Sequence, residues 1–428
     1  MYSFHPYFTN DGSVGLYNED FNDIYHSSTG AITEAYEKFV APIDIYWLLN
    51  QDKIKVLDIC YGIGYNSKTF LNFIFENFSL KKNKKNNYHA DSTIATIYTN
   101  KILPKNNGVY SDTIHTNNIF SKLSITAVDT DEILCYLSPF IKTGKKNFKN
   151  VNFDFDTSNV EKYLKKDKNK NFPKINKLIN FLILEKIAQN SPKFLKNHKI
   201  TSILSNKLYT SYFEADIRGI FEFYQNQTYR IKQKGLLNAF LHNIYYRYIS
   251  QRYKKAIKHY NLESIDFEYK NGDARNIIKA DNNIYNLVFL DAFTPSKCPC
   301  LWSYDFFKLL YDKTETDGLI LTYSTSAAIR AAMIEAGFYI GNIYNERLNK
   351  YTGTIATKNK TLIKHPLSEF DLGLLKTTAG IFYRDENLTG LNEAIRSQRE
   401  YEVKNSTRLS TSKYKKQKFI KEDSCSTM

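Results

Sequence analysis

The sequence predicts an α/β fold in which a parallel β-sheet carries helices on both faces. Short apolar runs rich in β-branched residues recur at 54–59, 123–128, 285–290 and 318–323, and helical periodicity follows the first run over 66–75. Strands that alternate with helices favour a parallel sheet, because each crossover helix packs on one face of the sheet.

Each predicted element has a local signal. The run Ile54–Ile59 breaks at Gly62 and Gly64, as a buried strand that enters a tight turn does. The second strand ends at Asp129, after which helix signals resume. Alternation over 265–269 predicts a third strand. Later in the chain, a helix closed by a glycine and room for two further strands complete the sheet.

The pattern changes along the chain and divides it into units. The sheet-forming segments make a Rossmann-like domain, interrupted by a lysine- and asparagine-rich stretch and by a long stretch of helical periodicity without strands. The predicted units are an N-terminal entry segment at 1–50, the Rossmann-like domain at 51–139 and 263–395 with a mobile insertion at 79–118, a large helical insertion at 140–262, and a basic tail at 396–428.

Composition excludes several classes of protein. The 428 residues are 42% hydrophobic, which is enough for a sizeable core and excludes a wholly disordered chain. No apolar run approaches the ~18 residues of a membrane-spanning helix. The first residues lack the pattern of a signal peptide, which predicts a cytoplasmic protein. Five cysteines and eight scattered histidines predict neither a disulfide framework nor a metal site.

The formal net charge of +15 favours a polyanionic partner, of which nucleic acid is the first candidate. A drift towards lysine and asparagine in an AT-rich genome would raise the charge as well. The segment Phe240–Lys255 has the same two interpretations. Its apolar face is either ordinary core or an aromatic surface for RNA with basic residues beside it, the shared face being formed by Leu241, Ile244, Tyr245, Tyr248 and Ile249.

Acidic residues stand at or just past the ends of the predicted strands, where an open parallel sheet binds its ligands. Asp58 precedes a turn with Cys60, Gly62, Gly64 and Asn66. A dinucleotide enzyme would show G-x-G-x-x-G without an acid on the strand. The pattern instead fits S-adenosylmethionine (SAM), whose amino-acid end a carboxylate can order.

Two later acids extend this interpretation. Asp129 is placed to accept hydrogen bonds from ribose hydroxyls, as the acid after a second strand does in dinucleotide sites. Asp273 and Ala274 follow the third strand, where the adenine amino group would lie. The order of glycine turn, ribose acid and adenine acid predicts a Rossmann-like class I SAM-dependent methyltransferase.

A second cluster stands where the methyl acceptor should meet the sulfonium. Asp291 is its predicted catalytic residue, and the predicted substrate-binding residues are Phe293, Pro295, Lys297 and Trp302. A carboxylate can orient the lone pair of an amine while an aromatic ring packs on the acceptor group. The cluster therefore indicates an amine acceptor, although a strand-end Asp can also simply cap a turn.

These residues resemble the methyltransferase domain of the tRNA 5-methylaminomethyl-2-thiouridine biosynthesis bifunctional protein. The segment Asp291–Pro299 is similar to that family's D-[GA]-F-[AS]-P-x-K-N-P signature, and Asp58–Asn66 to its [ED]-x-G-x-G-x-G-x-N turn. The resemblance covers roughly 9–78, 120–135 and 265–400. Cys60 stands where the family has its first glycine, which is expected to reshape the turn slightly.

The resemblance implies methyl transfer from SAM to the exocyclic amine of 5-aminomethyl-(2-thio)uridine at the wobble position of tRNA. Asp291 would aim the amine, Phe293 would support the splayed base, and Lys297 would meet a phosphate. The family's FAD-dependent oxidase half has no counterpart after residue 400, so we expect a stand-alone methyltransferase. Two alternatives remain: a small-molecule amine methyl- or aminopropyltransferase, and a non-catalytic RNA-binding protein on the same fold.

Overall fold

The structure is a computed structural model that describes residues 4–19, 23–24, 30–78, 119–142, 173–225 and 235–417. The predicted mobile insertion at 79–118 lies outside the described residues. So do parts of the predicted helical insertion and the end of the predicted tail, at 143–172, 226–234 and 418–428.

Within the described residues, ten strands form two sheets. A small antiparallel sheet joins β1 (His5–Phe8), β2 (Val14–Asn18) and β3 (Asp23–Ile24). The central sheet contains seven strands, which are β4 (Ile54–Ile59), β5 (Leu123–Asp129), β6 (Asp266–Asn271), β7 (Tyr285–Leu290), β8 (Thr314–Thr322), β9 (Tyr339–Asn345) and β10 (Lys350–Thr357).

The order of the central sheet is β6-β5-β4-β7-β8-β10-β9. Strands β4 to β8 pair in parallel, whereas β10 runs antiparallel to both of its neighbours. The predicted parallel sheet is therefore confirmed, and the last hairpin adds one reversed strand. The chain moves outward from β4 to β6 and then returns to β7 on the other side of β4. This reversal creates a crevice at the carboxyl ends of β4 and β7.

Helices cover both faces of the central sheet. Alternate residues of β4 belong to different cores, since Val56 packs in one buried cluster and Leu57 in the other. The helices are α1 (Ala31–Ala35), which continues as a π-helical turn (Tyr36–Val40), α2 (Ile45–Leu49), α3 (Tyr65–Phe78), α4 (Glu132–Leu137), α5 (Ile175–Asn190), α6 (His198–Ser205), α7 (Ala215–Tyr224), α8 (Leu236–His259), α9 (Ala274–Ala280), α10 (Tyr304–Asp312), α11 (Ala327–Glu335), α12 (Glu369–Leu375), α13 (Asn392–Asn405) and α14 (411–417).

Helices α5 to α8 occupy the described part of 140–262, and they pack on the sheet rather than around a core of their own. Buried residues of α5 such as Phe181 belong to the same cluster as Phe267 of β6. Asn190 at the end of α5 donates through Nδ2 to the carbonyl of Phe267 at 3.2 Å. The helical segment thus extends the core on one face of the central sheet.

The apolar face of helix α8 is core towards its C-terminus and exposed towards its N-terminus, so the interpretation as core holds for one end and the interpretation as an RNA surface remains a prediction for the other. Ile249 and Tyr253, in its second half, are buried. The exposed apolar side chains lie between Leu236 and Tyr248, and they include four members of the predicted face, namely Leu241, Ile244, Tyr245 and Tyr248. The sequence pattern could not separate the two ends, because periodicity shows that residues share a face but not what covers it.

The predicted boundary of the basic tail differs from the structure. Helix α13 spans Asn392–Asn405 and runs across residue 396, with Ile395 buried among the residues around β7 and α10. The apolar anchor at Ile395 holds this polar helix on the domain. Within the described ranges, no helix has the length and apolar character to cross a bilayer.

Candidate active site

The turn between β4 and α3 requires unusual backbone conformations. Cys60, Gly62 and Gly64 have φ values of +63°, +54° and +81°. This left-handed region costs an L-residue ~1–2 kcal/mol, so Cys60 adopts the conformation that a glycine would hold without strain. Gly64 has a second constraint, because a Cβ there would lie 2.3 Å from Oη of Tyr61.

Asp58 lies beneath this turn and is completely buried. Its Oδ2 accepts hydrogen bonds from Oγ of Ser67 at 2.6 Å and from the amide of Ser67 at 3.2 Å, which ties the end of β4 to the first turn of α3. Burial, followed by the nearby charges of Asp291 and Asp129, raises the pKa of Asp58 to about 8. Its other oxygen, Oδ1, is buried without a hydrogen-bond partner in the described structure.

Asp129, at the end of β5, holds the glycine turn from the side. Its Oδ2 accepts from the amide of Gly62 at 2.8 Å, and its Oδ1 accepts from the amide of Asp131 at 2.9 Å. Burial raises its pKa to about 6. A carboxylate has about four acceptor positions, so this residue retains capacity for the hydroxyls of a ribose.

Asp273 has a different environment from the one its predicted adenine role suggests. It caps the N-terminus of α9 by accepting from the amide of Arg275, and it pairs with the guanidinium of the same residue at 2.6 Å. Although burial alone would raise it, these Arg275 contacts hold the pKa of Asp273 below its ordinary value. Arg275 also pairs with Asp385 at 2.7 Å, so Asp273 belongs to a structural network beside Ala274.

Asp291 directly follows β7 and faces the glycine turn. Nδ2 of Asn66 donates to its Oδ2 at 3.0 Å, and its own amide donates to the carbonyl of Ile59 at 3.3 Å. Burial and the charge of Glu34 raise the pKa of Asp291 to about 6. Oδ1 of Asn66 is a second buried acceptor without a partner in the described structure. The structure thus brings Asp58, Asp129 and Asp291 together, as the strand-end pattern predicts.

Two aromatic side chains fix the loop after Asp291 by hydrogen bonds to its backbone carbonyls. Nε1 of Trp302 donates to the carbonyl of Phe293 at 2.8 Å, and Oη of Tyr323 donates to the carbonyl of Ala292 at 2.8 Å. Trp302 has no exposed surface, so its predicted contact with the substrate is wrong. Its indole instead fixes the loop. A large apolar ring with one polar atom is most stable when it is buried and its N–H is hydrogen-bonded. The residue type of Trp302 therefore indicated a buried position, although its place beside the motif suggested contact with the substrate.

Phe293, Pro295 and Lys297 are partly exposed on the same loop. The loop closes by hydrogen bonds from the amides of Lys297 and Cys298 to the carbonyl of Thr294, at 2.8 and 3.0 Å. Their side chains therefore have access to a ligand in the crevice. The predicted contacts of Phe293 with a base and of Lys297 with a phosphate remain predictions.

Sequence reasoning missed Glu34 and Lys38, which approach the crevice from the N-terminal segment. They form an ion pair, and Nζ of Lys38 lies 5.3 Å from the ring centroid of Tyr323. The charges of both residues act on Asp291. The available signal was the spacing of opposite charges at i and i+4 in a segment that matches the family's entry segment.

The crevice has the chemistry that SAM needs. The buried unpartnered acceptors on Asp58 and Asn66 suit the ammonium of an amino-acid end, and Asp129 suits the ribose. The clustered carboxylates also suit a sulfonium. Among the described residues, no three His, Cys, Asp or Glu side chains are grouped to hold a metal ion.

Comparisons with known proteins agree with this geometry. Residues 236–359 match the model of a family described as S-adenosyl-L-methionine-dependent methyltransferases. An uncharacterized protein of Methanocaldococcus jannaschii is 33% identical over 158 residues, covering 34% of this chain and 44% of that protein. The tRNA 5-methylaminomethyl-2-thiouridine biosynthesis bifunctional protein MnmC of Burkholderia vietnamiensis is 36% identical over 67 residues, covering 16% of this chain and 10% of that protein.

A solved structure shares the fold over most of the chain. The crystal structure of MNMC2 from Aquifex aeolicus superposes with a TM-score of 0.53 and 19% identity, covering 95% of this chain and 87% of that one. The chain spans less than half the length of the two curated relatives. Together these findings confirm the predicted α/β methyltransferase fold, the resemblance to the MnmC methyltransferase domain, and SAM as the cofactor.

Proposed function

We propose that this SAM-dependent methyltransferase acts on the exocyclic amine of 5-aminomethyl-(2-thio)uridine at the wobble position of tRNA, giving 5-methylaminomethyl-(2-thio)uridine. The observation that carries the proposal is Asp291, a partly buried carboxylate at the end of β7 that borders the cofactor turn through Asn66. A relative named for 5-methylaminomethyl-2-thiouridine biosynthesis supports the same acceptor.

The acceptor amine must be neutral to act as a nucleophile. An alkylammonium with a pKa of about 10.4 costs roughly 4–5 kcal/mol to neutralise at pH 7. The pKa of an ordinary Asp lies far below that of the ammonium, so proton transfer between them is unfavourable. The pKa of about 6 at Asp291 reduces this unfavourable free energy of proton transfer by about 3 kcal/mol. Asp291 therefore aims the nitrogen, and its raised pKa makes it a better acceptor for the proton than an ordinary Asp.

When bound in this crevice, SAM would supply an electrophilic methyl group and a thioether leaving group. The residues of this chain prepare that event by positioning. The wobble base must leave its stack to enter the crevice, and Phe293 offers a platform at the loop surface. Lys297 lies on the same loop, where it can meet a phosphate next to the base.

Helix α8 supports tRNA as the partner. Its 24 residues include five Lys or Arg and no Asp or Glu. Phe240, Tyr245 and Tyr248 of this helix are 61%, 53% and 60% exposed. Basic residues that meet phosphates and exposed rings on which bases stack are the two components of binding to single-stranded nucleic acid.

The test is methyl transfer from labelled SAM to bulk tRNA of a strain that lacks this gene, followed by nucleoside mass spectrometry. We expect 5-methylaminomethyl nucleosides to appear as the 5-aminomethyl precursor disappears. Asp291→Asn should bind SAM normally and lose the transfer, whereas Glu346→Gln, at an exposed carboxylate, should retain it.

The other results assign the alternatives. SAM binding without transfer to this tRNA would contradict the proposal and favour a small amine acceptor. A protein that binds tRNA but no SAM would indicate a non-catalytic RNA-binding role. Full activity in Asp291→Asn would refute the role proposed for this carboxylate and would leave the proposed reaction standing.

A further inference from the structure

We propose that Glu34, Lys38 and Tyr323 form the second half of the acceptor site, a cage for the alkylammonium of the incoming amine. In this cage, Glu34 is the second carboxylate beside Asp291. The ammonium of Lys38 competes with the substrate ammonium for Glu34. The identity of the acceptor rests on the proposed function.

The cage is built on a helix that changes its hydrogen-bonding pattern. Helix α1 ends at Ala35 and continues as a π-helical turn over Tyr36–Val40, in which the amide of Ala41 donates to the carbonyl of Tyr36 at 2.8 Å. Single π-helical turns are rare in proteins overall, and where they occur they are often at functional sites. The turn carries Lys38 towards the carboxyl end of β8, where Tyr323 stands.

The position of Nζ of Lys38 shows what the cage recognises. The ammonium contacts the carboxylate of Glu34 and lies 5.3 Å from the ring centroid of Tyr323. A carboxylate and an aromatic face together bind a primary ammonium. The acceptor's aminomethyl group is a primary alkylammonium of the same chemistry, so it can replace Lys38 between these two groups.

The cage is fixed against the catalytic carboxylate. Oη of Tyr323 donates to the carbonyl of Ala292, the residue that follows Asp291. Asn66 binds Asp291 through Nδ2 and is 95% buried, and its Oδ1 has no partner in the described structure. Since that oxygen suits the ammonium of SAM, Asn66 connects the cofactor side of the crevice to Asp291.

The cage also prepares the proton transfer. With the substrate ammonium between the two carboxylates, one N–H bond breaks, an O–H bond forms on Asp291, and the electron pair that remains on nitrogen is the nucleophile. Besides Glu34 and Lys38, the groups that act on this carboxylate include Asp58 and Cys60 on the cofactor side. The negative charge of Glu34 raises the proton affinity of Asp291, whereas the positive charge of Lys38 lowers it.

The experiment compares Glu34→Gln and Lys38→Met by pH profiles of kcat/KM for methyl transfer to precursor tRNA. Because transfer needs the ionised Asp291, activity is lost as the pH falls through its pKa. Glu34→Gln should move this acidic limb to lower pH by about one unit, and Lys38→Met should move it to higher pH. Glu34→Gln should also lose roughly tenfold in kcat/KM at pH 7.

The matched control is Glu37→Gln. Glu37 lies on the same π-helical turn as Lys38 and pairs with Arg347 at 2.5 Å. It should keep the wild-type pH profile, and all three variants should keep the wild-type affinity for SAM. Shifts of the limb in the same direction for Glu34→Gln and Lys38→Met, or no shift in either, would overturn the inference. A wild-type enzyme that leaves the precursor unmethylated would overturn the proposed function itself.

Discussion

Replacing Gly64 with alanine is the most direct test of the cofactor turn. The φ of +81° strains an L-residue by ~1–3 kcal/mol. The new Cβ would also lie 2.3 Å from Oη of Tyr61 and 2.9 Å from Oγ of Ser138, and overpacking of this kind costs ~1–3 kcal/mol more. We therefore expect Gly64→Ala to lose about 2–6 kcal/mol of stability and to weaken SAM binding, because the displaced turn no longer fits the ligand.

Gly235→Ala provides the control, because Gly235 has a φ of +79° and no atom within 4 Å of the added Cβ. It should show only the backbone strain. At about 2.1 cal/mol/K per residue, 428 residues give an unfolding entropy near 0.9 kcal/mol/K, so each kcal/mol lowers Tm by about 1 °C. Calorimetry of both variants and titration with SAM measure the effects. Equal losses of Tm would refute the steric argument.

Four further changes probe the rest of the molecule. In wild-type enzyme, kcat/KM should fall as the pH drops below about 6, because Asp291 then holds a proton; a pH–rate profile checks this. SAM affinity measured by calorimetry should rise from pH 5.5 to 7.5, because a cation favours the ionised forms of the buried acids, and Asp58→Asn should flatten the rise. Tyr245→Ser with Tyr248→Ser should weaken tRNA binding at least tenfold in a filter assay, at ~1–3 kcal/mol per stacked base. Arg275→Met should lower Tm by about 3 °C or more, because it leaves two carboxylates without their partner.

The strands and the cofactor turn could be predicted because their signals are local. A continuous apolar run such as 285–290 and a break at Gly62 report directly on burial and on positive φ. The reversed strand β10 could not be predicted in this way. The direction of a strand depends on its partners, and the pairing of Thr354 with Thr322 leaves no mark on either sequence segment.

The site residues divide along the same line. Asp58, Asp129 and Asp291 meet because parallel strands end at one edge, which topology alone ensures. Glu34 reaches the same edge from a segment distant in sequence, and only the packing of helix α1 on the domain brings it there. Asp273 follows the third strand as predicted, but it also caps helix α9 and pairs with Arg275, two residues further along the chain, which the strand-end pattern does not show.

The electrostatics of the crevice follow from this convergence. Carboxylates that are buried close together cannot all ionise cheaply, so burial and mutual repulsion raise the pKa of each. Burial raises the pKa of Asp58 to about 8 and that of Asp291 to about 6, so both carboxylates hold a proton at higher pH than ordinary acids do. A sulfonium and an ammonium compensate the same negative charge. The crevice therefore favours cationic ligands, and the raised pKa of Asp291 makes this carboxylate better able to take a proton from the acceptor.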